Sequence, residues 1–469
     1  MKNVAIAAAV VAMVLLGLPP VLGLGTEARV RERVTELDGY GVVAVKVKSF
    51  DRGWFGSTAR IELAPAPGYL AKIGLGSAAA AAALDRRATI TVDFAHGPLV
   101  LQKGVQLGWS TMVARLDPET DGLADLQKQL GVPYLVEFRG RTGITGGISF
   151  DADVPPMNVS AEPQVEFSGA KLDGRYTRDR LVSNARIDSV EITDAFGTFA
   201  MRNLRLHVDH GFLSKDLAPG KAEFSIDRLS ATAGLGGGTP LFGSDRVSVI
   251  AATAVNATRS LLDVHVTYGV DRVHMDDREV TGAALGIALH NVDVQTLQHY
   301  NDALRELLTG PAASDANAAI AALLRADLPR FLAAGPSIVL EPLRFSVNGE
   351  PFEGRAEVAV DAARVPKGDL SELTPADVLG FLDVSAEIKL SKALARRFAA
   401  YGAALQLRGD PGMPPEQVEY LAEAQAGLML VELVNEGFLV EDGEVYRAAL
   451  RYTDAAMTLN DKPLPLLQR

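Results

Sequence analysis

The sequence predicts an α+β protein: an N-terminal transmembrane helix, then long, curled antiparallel β-sheets with amphipathic helices packed on one face. Three observations lead there. The chain opens on an uncharged apolar run, most later segments alternate apolar and polar residues between closely spaced turn signals, and a few segments repeat apolar residues at helical spacing. Parallel strands would need helical crossovers, which the short spacing between most strands lacks.

The opening run from Val4 to Leu24 has 21 residues without a charge. At 1.5 Å rise per residue that is about 30 Å of helix, enough to span a bilayer core. A cleaved signal peptide is the rival reading, but its apolar run would be shorter and end in a small-x-small site, and no clean Ala-x-Ala follows. Pro19-Pro20 kinks or ends the helix early, which keeps cleavage open. Lys2 precedes the run and Arg29, Arg31 and Arg33 follow it, so flanking charge says little about orientation. With no second span, the rest of the chain is expected on one side of the membrane, outside the cytoplasm.

At 469 residues the chain exceeds what one core sustains, so two or three cooperating units are expected. The balance of 46 basic against 58 acidic residues, a net −12, argues against nucleic acid as a partner. The absence of cysteine excludes disulfides, thiolate metal sites and cysteine nucleophiles.

Past the opening run, Val43, Val45 and Val47 alternate with Lys46 and Lys48 as a strand with one wet face. It turns at Asp51-Arg52-Gly53 and returns as Ser57 to Leu63. Trp54 and Phe55 are expected to cap that open end of the sheet with buried rings. The alanine-rich stretch at 77–87 reads as a short helix or spacer. Strands follow, with His96-Gly97-Pro98 between two of them, and continue to the segment where Ala222, Phe224 and Ile226 face away from Glu223, Ser225 and Asp227. The Gly-rich stretch 234–244 is the best interior boundary. The expected organisation is therefore 1–25 as anchor or signal segment, 26–233 as a β-rich domain, 234–244 as linker, and 245–469 as an α+β domain of hairpin-plus-helix units.

In that last domain Val294, Leu297, Tyr300, Leu304, Leu307 and Leu308 share one helical face, as do Ile320, Leu323, Leu324, Leu328 and Phe331. Asn348-Gly349 is the strongest two-residue turn signal. A helix around Leu390, Leu394, Phe398, Tyr401 and Leu405 follows a strand, another lies near Val418 to Leu433, and three short strands end the chain.

No residue set reads as catalytic, cofactor-binding or metal-ligating. In a strand His207 and Asp209 share a face while His210 points to the other, which does not close around one ion. H-E-x-x-H, the G-x-S-x-G elbow and a P-loop are all absent. Asp276-Asp277 and Glu441-Asp442 sit in turns. What remains is apolar surface, which fills an ordinary core or, where helices leave the sheet uncovered, lines a groove for an acyl chain.

Several segments resemble the YdgA-like family of bacterial envelope proteins, a domain of unknown function: the apolar N-terminus, residues 50–63, 95–100 and 291–304, and the end of the chain from Gly437. Gly53-Trp54-Phe55 and His96-Gly97-Pro98 are the most specific pieces. Gly56 stands where Ser is usual, with Ser57 next, and Asn460-Asp461-Lys462-Pro463 stands where Asn-Gly-Lys-Pro is more typical. The resemblance implies a single-pass inner-membrane protein, tethered through residues 4–24 with its bulk in the periplasm, and it brings no catalytic residues or cofactor. The expected function is a non-enzymatic envelope protein that binds lipid or a protein partner. The alternatives are a hydrolase whose site, around His96, assembles only in three dimensions, and a purely structural interaction module.

Overall fold

The computed structural model describes residues 26–464 apart from 33, 36–37, 39–42, 66–86, 98, 101–105, 108, 117–122, 144, 161, 214–216, 235–237, 259, 276–277, 310–315, 368–369, 371–372 and 408–413. The chain divides into two compact units, Met1–Ala222 with Gln298–Leu323, and Glu223–Leu297 with Leu324–Arg469.

The first unit is an antiparallel meander. Strand β1 (Val43–Arg52) pairs with β2 (Gly56–Pro65), and β2 with β3 (Ala88–His96). A two-residue ribbon of β4 (Leu99–Val100) and β5 (Gln106–Leu107) follows, and β3 then pairs with β6 (Ser110–Leu116). After helix α1 (Leu123–Leu130) the ladder continues through β7 (Glu137–Thr142) and β8 (Ile148–Val154). Pro155-Pro156 interrupts pairing because proline has no N–H to donate, and β9 (Met157–Val159) resumes it. The returning strand is interrupted opposite, between β10 (Gln164–Phe167) and β11 (Ala170–Tyr176). Gly169 makes that break at φ +92°, where a Cβ would lie 2.7 Å from the carbonyl oxygen of Val154. Strands β12 (Arg180–Thr193) and β13 (Gly197–Gly211) close the unit.

Because every neighbour is antiparallel and the ladders keep register apart from a shift between Val47 and Ser49 on β1, the period-two pattern adds up across strands. Phe50, Ala59, Val92, Ala114, Phe138, Ala152, Leu172, Ala185 and Leu206 stand directly opposite one another in succession on nine strands. One residue along, the row is Asp51, Thr58, Asp93, Val113, Arg139, Asp151, Asp173, Asn184 and His207. One face is therefore apolar and the other charged.

The second unit is also an antiparallel ladder. It runs from β14 (Gly220–Ala233) through β15 (Pro240–Val255), β16 (Leu261–Met275) and β17 (Arg278–Asp293). Helices α2 (Val294–Thr309) and α3 (Ala316–Ala333) come next in the chain, then β18 (Ser337–Val347), β19 (Glu350–Val360), helix α4 (Pro375–Gly380) and β20 (Leu382–Ser391). Helices α5 (Lys392–Leu407) and α6 (Pro415–Glu436) precede β21 (Val440–Asp442), β22 (Val445–Thr453), β23 (Ala456–Leu459) and β24 (Lys462–Leu464). Register shifts fall on β16, β17 and β18. Ala251, Val266, Ile287, Leu340, Ala356, Ala386, Leu450 and Leu459 form one facing row.

Helices cover this face at its margins. Ala395, Ala403, Ala422 and Ala426 are buried, and their small size lets α5 and α6 approach closely. Together with Leu430 of α6, Ala395 packs on Leu390 and Tyr446, joined by Phe352 and Ile388, over β19, β20 and β22. Leu332 of α3 packs with Leu370 and Phe381 against Val360 and Leu382 at the other strand end.

Two expectations are corrected. The chain is mostly antiparallel sheet, so the α+β class with helices layered along a sheet face does not hold. Among the described residues, Ala395, Leu430 and Leu332 pack their helices at the margins of the sheet, which supplies most of the body. Second, no helix among the described residues is long and apolar enough to cross a membrane, so the single-pass inner-membrane anchor and the periplasmic placement built on it are not supported. Residues 4–24, where that helix was placed, lie outside the described residues, as does 77–86 of the alanine-rich run. The physical reason is in the sequence. Pro19-Pro20 limits the helix-compatible run to Val4 through Leu18, about 22 Å against a bilayer core of about 30 Å.

The turns show where backbone chemistry is matched and where it is not. Asn348 and Gly349, at φ 50° and 87°, join β18 to β19, and Asn348 Oδ1 accepts from the Glu279 amide at 2.8 Å. The turn between β22 and β23 uses Asp454 and Ala455 at φ 51° and 58°. A left-handed alanine costs about 1–2 kcal/mol, and glycine gives back about 0.5–1 in unfolded-chain entropy. Ala455→Gly should therefore stabilise the protein by about 0.5–1 kcal/mol, read as a higher urea midpoint at unchanged slope. A lower midpoint would refute this.

Candidate functional site

The two motif pieces meet at one end of the first unit's ladder. Gly53 donates to the Gly56 carbonyl at 2.7 Å, and a Cβ on Gly53 would sit 2.9 Å from that same oxygen. The His96 amide donates to the Phe55 carbonyl at 2.8 Å, the Gly97 amide to Trp109 at 3.3 Å, and the Trp109 amide to Thr142 at 3.0 Å. Gly53, Trp54, Phe55, His96 and Gly97 thus share one sheet end, while Pro98 lies outside the described residues. The rings of Trp54 and Phe55 stay more than half exposed, against the expectation of burial.

Beneath them is a pair that the sequence did not disclose. Ser57 lies opposite Phe94, so it shares a face with His96 two residues on, and Ser57 Oγ is 2.8 Å from His96 Nε2. Both side chains are buried, and Phe94 stacks beside the imidazole at 6.3 Å between centroids. His96 Nδ1 has no hydrogen-bond partner. Burial pushes the imidazole below its ordinary value, so the ring is neutral at pH 7. A catalytic dyad needs a reachable nucleophile and a group that orients the base. Ser57 Oγ is enclosed and Nδ1 is unpartnered, so the pair reads as a polar plug in the apolar face.

On the charged face, Glu137 of β7 is 2% exposed. Arg115 Nε donates to its Oε2 at 2.5 Å, and Arg139 sits against Oε1 and reaches Asp151 at 3.4 Å. These residues line a groove of about 730 Å³ with Tyr134 and Arg141. Tyr134 donates to Asp153 at 2.8 Å, which raises its phenol above the ordinary range. Of the histidines weighed for metal, His207 bonds Asn184 at 2.8 Å and His210 bonds the Ala218 carbonyl at 2.7 Å. Asp209 is held by Arg180 in two contacts, which lower its carboxyl from the ordinary range. Among the described residues no three acidic or histidine side chains are grouped to hold a metal.

The surface that chemistry does not explain is the apolar one. Thr253, Val264, Leu289, Ile338, Val358, Val384 and Tyr452 form a second facing row in the second unit. Its three central residues, Leu289, Ile338 and Val358, are 36%, 49% and 38% exposed. In the first unit Ala59 and Val92 are buried, but the row from Ala114 to Leu206 is only partly covered. Sequence alternation predicted such faces; it could not say which residues stand opposite one another.

A family model described as a bacterial protein of unknown function, DUF945, matches residues 1–467. No curated protein matches the chain, and no solved structure does.

Proposed function

We propose that this chain, which belongs to the DUF945 family of bacterial proteins of unknown function, binds long hydrocarbon chains on the apolar faces of its sheets and is not an enzyme. The observation that carries this is the nine-strand row of the first unit. Bulky Phe50, Val92, Phe138, Leu172 and Leu206 alternate strand by strand with Ala59, Ala114, Ala152 and Ala185. At about 4.8 Å per strand, ridges recur every ~9.6 Å with a short lane at each alanine between them, and the row spans about 38 Å; the lanes at Ala114, Ala152 and Ala185 are only partly covered, while the one at Ala59 is buried. The row has no side chain able to hydrogen-bond a polar ligand, so it selects by apolar contact alone. The nearness of Gly53-Trp54-Phe55 to His96-Gly97 supports the narrower placement of the chain among YdgA-like proteins.

The test is to purify the full chain, extract it and quantify phospholipid by mass spectrometry, then repeat with Ala152→Trp. An indole in the lane displaces about two methylenes, each worth ~0.8 kcal/mol, so lipid affinity should fall roughly tenfold. Tryptophan at Asp151, on the charged face, should leave it unchanged. Lipid-free wild type, or equal lipid in the Ala152 variant, would refute the reading.

A further inference from the structure

The apolar face of the first unit changes character along its strands. In the row through Ala59, Val92, Ala114 and Ala152 no side chain can hydrogen-bond, and the same holds two residues away on one side, where Ile61, Ile90, Leu116, Val154, Ile187 and Leu204 stand. Two residues the other way, Arg52, Ser57 and Ser183 appear among Phe94, Met112 and Phe150. At the strand ends beyond, the row is His96, Ser110, Thr142, Ile148, Tyr176, Leu181 and His210. All but Ile148 and Leu181 carry hydrogen-bonding groups.

Past buried His96 this last row is open. Ser110, Thr142 and His210 are partly exposed, and Tyr176 is 36% exposed. Ser110 Oγ and Thr142 Oγ1 are 3.5 Å apart, a weak contact that leaves both hydroxyls able to take another partner. His210 donates through Nδ1 to the Ala218 carbonyl, so its Nε2 is left to accept. Tyr176 meets the ring of Phe212 edge-on and makes no hydrogen bond among the described residues. The chain's two tryptophans, Trp54 and Trp109, lie at this same end with Phe55, all at least 37% exposed. Indole is apolar in its ring and polar at its N–H, so it settles where hydrocarbon meets a hydrated layer.

We propose that the ligand of this face is an amphiphile with one polar head group, seated with its head at the row of Ser110, Thr142, Tyr176 and His210 and its tail running along the strands toward Ile90 and Ile187. This rests on hydrocarbon binding by the face and adds a direction to it. The reverse orientation would lay the head over rows without a hydrogen-bonding side chain, at the cost of its unmet hydrogen bonds. Polarity changes along the strands, row by row. A ligand lying across the strands would keep head and tail in one row, and no row suits both.

The native tryptophans report this without substitution. Stearate carrying a nitroxide beside its carboxylate, or beside its terminal methyl, is titrated into the full chain while indole fluorescence and the electron spin resonance of the label are followed. His96 and Ile90 are about 20 Å apart along β3 at ~3.3 Å per residue, so the head-side label should quench at least roughly twofold more than the tail-side label. Moving the reporter should reverse the order. With Trp54→Phe, Trp109→Phe and Leu116→Trp combined, the tail-side label should quench more, because Leu116 stands opposite Ile90. If both labels are immobilised on the wild type but quench equally, or the tail-side label quenches more, the orientation is overturned and hydrocarbon binding stands. An unchanged order in the moved-reporter protein would overturn it too. Labels that keep tumbling freely would refute hydrocarbon binding, and the orientation with it.

Discussion

Replacing Arg115 and Arg139 together by alanine should destabilise the protein by about 3–5 kcal/mol, although both side chains are substantially exposed. The cost lies in Glu137, which is 2% exposed and depends on these two guanidinium groups for charge compensation. Taking a carboxylate out of water costs several kcal/mol, and a paired cation repays this only while it stays in contact. The two arginines themselves lose little on truncation because they are already hydrated. Each single substitution leaves one partner, so the double variant should cost more than the sum of the singles. Adding Glu137→Leu to the double variant should recover most of the loss, because an apolar residue needs no compensation. Urea unfolding at pH 7 reads the four variants against wild type. A double variant within about 1 kcal/mol of wild type would show that Glu137 is solvated in solution.

Glu137 also marks a limit of sequence reading. In a strand with one wet face, a glutamate between Val136 and Phe138 reads as a solvated residue, and its burial follows only from arginines on β6 and β7 closing over it. The same limit explains the other misses. Alternation around Val43 to Val47 and the Asn348-Gly349 turn are local, so those strands and that turn were legible. The facing rows depend on register across as many as nine strands, which no window of sequence contains. The pairing of Ser57 with His96 is a case in point, since the two are 39 residues apart and meet only because β2 and β3 pair as Ser57 to Phe94. The helical stripe on α5 was legible, yet its exposure was not: the pattern of Leu394, Phe398, Tyr401 and Leu405 is uniform, and only Leu394 is covered. The class was misjudged for a related reason, because spacing places helices in the chain without saying how much sheet they cover.

Ser57→Ala should cost about 1–3 kcal/mol at pH 7.5, and the double variant Ser57→Ala with His96→Phe should cost much less. In the wild type either Ser57 Oγ–H donates to Nε2, leaving Nδ1–H unpaired, or Nε2–H donates to Ser57, leaving the Nδ1 lone pair unpaired. Removing the hydroxyl strands the second nitrogen as well, and a buried unpaired polar atom carries its full desolvation cost. Replacing the imidazole by phenyl removes both nitrogens and keeps a ring beside Phe94. The pH dependence separates this from a simple packing effect. Burial lowers the folded-state pKa of His96 below 6.5, so as pH falls below about 6.5 the unfolded chain takes up a proton that the folded chain does not. The contribution of His96 is present above the unfolded value and is lost as pH falls toward the folded one, with a slope of at most about 1.4 kcal/mol per pH unit. Only the wild type carries this proton uptake by His96, so unfolding midpoints from pH 7.5 to 5 should fall more steeply for wild type than for His96→Phe. Parallel curves would mean that His96 is open to water, and with it the enclosed end of the apolar face.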